Sequence, residues 1–192
     1  MYQKYFKRLF DIGLSLCLLI LFFPLMILIF FIIWLFIGYP IFKQNRPGLN
    51  NKIFTLYKFK TLIDSTKNIS SEEKRQTKLG NFLRKTGLDE LPQLFNILEN
   101  SMSLVGPRPL LVEYLKKYSK YEKKRHLTKP GITGLAQVNP SYSRKKSWNR
   151  SLKLDIYYVE NISFFLDLKI LLKTILIVLV NKKQYNDFKK SL

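Results

Sequence analysis

Ile12-Gly-Leu-Ser-Leu-Cys-Leu-Leu-Ile-Leu-Phe-Phe-Pro24-Leu-Met-Ile-Leu-Ile-Phe-Phe-Ile-Ile-Trp-Leu-Phe-Ile37 carries no charged side chain. A straight helix of roughly 26 residues at about 1.5 Å each reaches about 39 Å, against a hydrocarbon core of about 30 Å. The run is too long for the apolar part of a secretory signal, and no small-residue cleavage site follows it, so it reads as an anchor. Lys4, Lys7 and Arg8 precede it, and Lys43, Arg46, Lys52, Lys58 and Lys60 follow it. Basic flanks favour the cytoplasmic side, and here both ends qualify. Pro24 removes a helix hydrogen bond near the middle of the run. Two topologies stand open on these residues: a helix that breaks at Pro24 and returns to the same face, and a kinked spanning helix with the N-terminus outside.

A second apolar stretch, Ile162 to Val180, is interrupted by Asp167, Lys169 and Lys173. Only seven residues at its end are free of charge, too few to span. A helix lying in the interface with snorkelling lysines and an ordinary core helix both fit it. The chain has 192 residues, enough for one domain and an anchor, and Lys plus Arg exceed Asp plus Glu by 33 to 13, a net charge of +20. That excess calls for an anionic partner, whether nucleic acid, acidic lipid or a phosphorylated small molecule. Cys17 is the only cysteine, which excludes an internal disulfide, and its apolar setting is wrong for a reactive thiolate.

Between the two apolar stretches, Pro40, Pro47 and Gly48 mark an exit from the membrane and a turn over Gly38 to Gly48. Lys52 to Lys60 alternates in part and predicts a strand; Ile63 to Gly80 is a polar loop with some helix. Asn81 to Asn100 has helical apolar spacing divided by Gly87, with Asp89 and Glu90 opening the second helix and Pro92 in its first turn. A helix is expected over Leu110 to Lys124, a turn at Pro130-Gly131, a short strand over Ile132 to Val138 and a helix over Leu152 to Val159. The expected fold is mostly α with minor β.

Asp89 beside Glu90 is the acidic pair most able to carry chemistry in so basic a chain. A helix N-terminus alone also favours acids; the chemical alternative is a carboxylate nucleophile whose neighbour, about 100° round the helix, supplies oxygen to Mg²⁺. Gly106-Pro107-Arg108-Pro109 restricts the backbone around one guanidinium, which can stack on a base or grip a phosphate bidentately; a plain turn with an exposed arginine is the other reading. Lys58 and Lys60 can bind phosphate or form a solvated face. His126, the only histidine, is read as a surface residue without a visible partner.

Several ordered segments resemble the bacterial sugar transferase family, the small monotopic phosphoglycosyl transferases. They are Lys7-Arg-Leu-Phe-Asp11, Gln44-Asn-Arg-Pro-Gly48, Tyr57-Lys-Phe-Lys-Thr61 and Leu88-Asp-Glu-Leu-Pro-Gln-Leu-Phe-Asn96, then Met102 to Pro109, Lys129 to Asn139 and Asp155-Ile-Tyr-Tyr158. The match runs from Lys7 to about Val180. The length resembles the minimal members, the bacillosamine-phosphate transferases in particular. The resemblance implies a re-entrant helix-break-helix over residues 1–40 and a small cytoplasmic catalytic domain over residues 41–192 with interfacial amphipathic helices, one of them C-terminal. It implies transfer of a sugar 1-phosphate from a UDP-sugar to undecaprenyl phosphate at the cytoplasmic face of the bacterial inner membrane. Asp89 would be the nucleophile and Glu90 its partner acid, both at an Mg²⁺ site, and UMP would leave. Arg108 is implied in nucleotide recognition, and Lys58, Lys60, Arg84, Gln137 and Arg144 in substrate binding. Membrane lipid and downstream glycosyltransferases are implied partners; nucleic acid is not.

The sequence departs from the family after Asn139, where Pro140 to Lys146 looks like a small insertion before Ser147-Trp148, with Arg144 standing in for a usual arginine. This loop bears on the sugar, so neither the sugar nor the pathway is identified. The competing class is a membrane-anchored basic protein that binds acidic lipid or nucleic acid without catalysis, which would release no UMP from a UDP-sugar.

Overall fold

In the computed structural model, Lys7–Phe36 is one α-helix (α1), preceded by a π-helical turn at Tyr2–Phe6. Residues 2–64, 75–139 and 147–180 are described. The helix continues through Pro24 as one element; a proline deletes one amide donor and can bend a helix without ending it. The helix is long and apolar enough to cross a membrane. Its buried residues are Lys7, Asp11, Ser15, Leu19, Met26, Ile29 and Ile33, with half-buried Phe22 between. Steps of three and four keep one face on the rest of the molecule along the whole helix. Leu19, Met26, Ile29 and Ile33 share a core with Leu56, Phe59, Leu94, Ile97, Val105, Tyr158 and Ile170.

The N-terminal end of α1 is tied down by polar contacts. Lys7 donates to Asp167 Oδ2 at 2.6 Å and to the Val105 carbonyl at 3.1 Å. The Tyr2 and Tyr158 hydroxyls donate to the same carboxylate, each at 2.7 Å. Arg8 caps the carbonyls of Ile97 and Leu98 at 2.6 and 3.0 Å, and Asp11 accepts the Leu104 amide at 3.1 Å. The flanking charges Lys7 and Arg8 therefore serve the protein interior as well as any membrane surface.

At the other end Gly38, at φ +104°, turns the chain out of the helix into β1, Ile41–Pro47. That strand pairs antiparallel with β2, Ile53–Phe59, with Ile41 opposite Phe59 and Pro47 opposite Ile53. The turn expected over Gly38 to Gly48 is thus mostly strand. The real turn lies at Gly48 to Lys52, where Asn50 and Asn51 take positive φ, a conformation asparagine tolerates well.

The next elements are α2, Lys78–Thr86; a 3₁₀ turn, Leu88–Glu90; and α3, Gln93–Leu98. Thr77 caps α2 by accepting the Gly80 amide, and Gly87 ends it at φ +75°. The single helix expected over Leu110 to Lys124 is instead two 3₁₀ segments, Val112–Lys116 and Glu122–Leu127. Ser119 and Glu122 exchange hydrogen bonds between side chain and amide, a capping box that restarts the chain at this point. Strands β3, Ser103–Val105, and β4, Gly131–Thr133, pair in parallel; β4 is shorter than the strand expected over Ile132 to Val138. Two helices follow, α4, Ser147–Glu160, and α5, Phe164–Val180. Asp167 and Ile170 of α5 are fully buried, while Phe165, Leu172, Ile175 and Leu179 are exposed. One face of α5 is core, as a core helix requires, and the other is a bare apolar surface.

Candidate active site

Gly87 in the left-handed region closes α2 and lets the chain reverse into the Leu88–Glu90 turn. Here Asp89 and Glu90 precede α3 rather than opening it. With three residues per 3₁₀ turn their side chains diverge by about 120°. The Asn96 side chain, fully buried on α3, donates to the Thr55 carbonyl at 2.8 Å and accepts the Tyr57 amide at 3.0 Å. It therefore fastens the acidic turn's helix to β2, the strand that carries Lys58.

Successive strand residues face opposite ways. Phe42, Gln44 and Arg46 of β1, with Lys58 of β2 and Lys60 beyond it, line a cavity of about 760 Å³; Asp89, Glu90, Arg84 and Arg108 line it too. Arg75 and Lys85 bring its cations to seven against three carboxylates, Asp64, Asp89 and Glu90. Phe42 and Val178, both exposed and apolar, stand at its edge. A second cavity of about 510 Å³ lies against the reverse of the hairpin, where Ile41, Lys43 and Tyr57 meet Phe23, Ile27 and Phe31 of α1.

Glu90 Oε1 accepts both Lys58 Nζ, at 2.5 Å, and Arg108 Nη2, at 2.8 Å. Lys58 is also 4.0 Å from Asp89 Oδ2. Burial acts upward on the Glu90 carboxyl, but Arg108 and Lys58 outweigh it and hold the group below the usual glutamate range. Burial likewise pushes the Asp89 carboxyl up; Lys58 pulls against that rise and the Glu90 charge adds to it, and the outcome is a raised value. The pair is thereby split into a firmly ionised, ion-paired glutamate and a more basic, buried aspartate. Among the described residues no group of three or more His, Cys, Asp or Glu converges, so a cation held here would draw on this pair and on ligand oxygens.

Of the other expected residues, Lys60 bonds Asp64 at 2.8 Å, and Arg84 Nε donates to Thr61 Oγ1 at 2.8 Å, both within the cavity wall. Gln137 stands apart from the cavity: its amide donates to the Ile132 carbonyl at 3.0 Å in the turn after β4. Arg144 and the Pro140 to Lys146 insertion lie outside the described residues. His126 is buried, not a surface residue. Burial and the Arg125 charge push its imidazole down to about 4, against one bond with the Gly48 backbone that acts upward, so it is neutral at physiological pH. The sequence marks Arg46 as flanking charge and as part of a family segment, and assigns no role of their own to Arg125 and Asp155. Arg46 lines the cavity, while Arg125 and Asp155 form a buried pair at 2.7 Å behind it. An arginine in a basic chain gives no sign of burial by itself, and its partner lies 30 residues on.

Residues 2–181 match the family described as bacterial sugar transferase. An uncharacterised sugar transferase, EpsL, of Bacillus subtilis (strain 168) is 48% identical over 180 residues, covering 92% of this chain and 88% of that protein. The undecaprenyl-phosphate galactose phosphotransferase of Salmonella typhimurium is 35% identical over 197 residues, covering 92% of this chain and 41% of its own. The UDP-glucose:undecaprenyl-phosphate glucose-1-phosphate transferase of Klebsiella pneumoniae is 38% identical over 196 residues, covering 94% and 41%. The chain thus spans less than half the length of the latter two.

Proposed function

This chain belongs to the bacterial sugar transferase family, and from that premise we propose that it moves a sugar 1-phosphate from a UDP-sugar to undecaprenyl phosphate through an acyl phosphate that joins the phosphosugar to the Asp89 carboxylate. The observation that carries the reading is the split carboxylate pair in a cationic cavity. Glu90 is committed to Lys58 and Arg108, whereas Asp89 is buried, more basic than an ordinary aspartate and close to a lysine. A more basic carboxylate is the better nucleophile, and the surrounding cations suit a diphosphate.

In the first displacement an Asp89 oxygen bonds to the β-phosphorus as its bond to the bridging oxygen breaks, and UMP leaves with the electron pair. Lys58 and Arg108 offset the negative charge that builds on the phosphoryl and leaving oxygens. In the second, a phosphate oxygen of the polyprenyl acceptor attacks the same phosphorus and Asp89 leaves as a carboxylate, so atoms and charge balance. Asp89 and Glu90 are the residues to hold Mg²⁺ with donor oxygens, in keeping with the few protein carboxylates such an ion uses; when bound it supplies neutralising charge at the phosphates. Arg84 and Lys60 extend the phosphate-binding wall.

The cavity edge at Phe42 and Val178, and the apolar faces of α1 and α5, support a site level with a membrane surface. Both ends of α1 meet the same domain, the first through Lys7, Arg8 and Asp11 and the last through β1. That arrangement favours a helix entering and leaving on one face, cytoplasmic by its basic flanks, over one whose ends are separated by about 30 Å of hydrocarbon.

The test is a UDP-sugar panel given to the protein without lipid acceptor. The reading expects UMP release stoichiometric with enzyme for the right sugar, ping-pong kinetics once polyprenyl phosphate is added, and neither with Asp89→Asn. Strictly sequential kinetics would favour direct attack by the lipid phosphate, and no release for any sugar would favour the binding-protein alternative.

A further inference from the structure

Arg108 reaches Glu90 from a loop with few amides to hold it. Gly106 donates its amide to the Thr133 carbonyl at 2.9 Å, but Pro107 and Pro109 have no N–H, so around Arg108 the attachment falls largely to carbonyls. Three successive carbonyls are used. Pro107 accepts the Gly131 amide at 3.1 Å, Arg108 accepts Arg125 Nη2 at 2.7 Å, and Pro109 accepts Arg46 Nη1 at 3.3 Å. The middle contact comes from deepest inside. Arg125 is 2% exposed and Asp155 4%; Arg125 Nε and Nη2 both donate to Asp155 Oδ2, at 3.1 and 2.7 Å, and Nη1 donates to the Tyr118 hydroxyl at 3.2 Å. Arg125 does not line the cavity, whereas the Arg108 side chain, 45% exposed, does.

We infer that Arg125, oriented by Asp155, is a positioning residue that fixes the Arg108 backbone so that its guanidinium meets the donor's nucleotide phosphates. The inference rests on the proposed nucleotide role of Arg108 and adds to it the pair that sets its geometry. Packing alone does not call for an ion pair here, because apolar residues of similar volume commonly serve a core as well or better. What an apolar pair cannot supply is a donor to the Arg108 carbonyl. Nη2 makes that bond while also binding Asp155, a double duty that the forked guanidinium performs and a lysine ammonium, on a different stem and geometry, does not reproduce. With the carbonyl released, Arg108 has to be ordered at the moment of binding, and affinity falls by that cost.

The probe is UDP with Mg²⁺, which requires no knowledge of the sugar, titrated by calorimetry into detergent-solubilised protein. Four proteins form a cycle: wild type, Arg108→Ala, the double replacement Arg125→Met with Asp155→Leu, and all three changes together. Removing both members of the ion pair avoids leaving one charge buried alone, and thermal unfolding checks that each protein is folded. Arg108→Ala should weaken UDP by about tenfold or more, the loss of a charge-assisted contact. The double replacement should also weaken it, and adding it to Arg108→Ala should cost nothing further, because Arg125 acts only through Arg108. If the double replacement does not fold, Arg125→Lys takes its place in the same cycle with the same expectation. Losses that multiply, or a folded Arg125 variant that binds UDP like wild type, would overturn the inference while leaving Arg108 in its role. An Arg108→Ala protein with wild-type affinity would overturn the nucleotide reading itself, and this inference with it.

Discussion

Asp89 and Glu90 are chain neighbours in opposite electrostatic situations, and their substitutions should differ accordingly. The Asp89 carboxyl is raised by burial, so the folded state holds its proton more tightly than the unfolded chain. Such a group adds stability that is present below its unfolded value and is lost as pH rises through the folded one. Ionised Asp89 is therefore a burden on the fold at neutral pH. Asp89→Asn should melt higher than wild type at pH 7, and the gap should close in acid as wild-type Asp89 takes up its proton; thermal unfolding against pH reads this directly. Glu90→Gln should behave the other way: it leaves Lys58 and Arg108 with a neutral partner, so the fold should lose stability at pH 7, by about 1–3 kcal/mol for a cluster in which Glu90 and Lys58 are mostly buried and Arg108 is partly exposed. For Arg108, a lysine keeps the charge and loses the planar fork, so the KM for the UDP-sugar should rise with the melting point unchanged.

At the scale of elements, the joint between α1 and α5 is the point where a single change does most harm. Lys7 and Asp167 are buried at 2.6 Å, and two tyrosine hydroxyls share the carboxylate. Lys7→Met leaves Asp167 charged and short of its cation, which should cost about 3–5 kcal/mol; the double change Lys7→Met with Asp167→Leu should recover much of that, as thermal unfolding in detergent would show. The long apolar run, β2 and the Gly87 division were legible because each has a local cause: apolar length, alternation, a residue free to take positive φ. Strand β1 was not, since Gln44, Asn45 and Arg46 face a polar cavity or solvent and so lack the alternation of a half-buried strand. The 3₁₀ pair at Val112–Lys116 and Glu122–Leu127 is legible in principle through the Ser119-Glu122 capping box, which a single helix over Leu110 to Lys124 passes over. In the site, Asp89, Glu90, Lys58 and Arg108 stand out as an acidic pair, a strand end and a rigid turn. Arg125, Asp155 and buried His126 do not, because their partners come from distant segments and burial is a property of the assembled fold.

For the whole molecule, the net charge of +20 includes seven cations that line the cavity around Asp89 and Glu90. If the membrane helix returns to its own side, cysteines placed at Gln3 and Asn50, with Cys17→Ser, should show equal accessibility to an impermeant reagent in intact cells. Labelling of position 3 alone from outside would instead establish a spanning helix. The central claim, however, is chemical: a water-soluble donor and a lipid acceptor meet one carboxylate in turn, so that the site never has to hold both. The measurement that bears on it most directly is peptide-mapping mass spectrometry of the enzyme incubated with its UDP-sugar and Mg²⁺ but no lipid. The account predicts an added mass of one sugar phosphate on Asp89, removed when polyprenyl phosphate is supplied and absent from Asp89→Asn. An adduct mapping to any other residue, or none at all in an enzyme that turns over normally with lipid present, would contradict it.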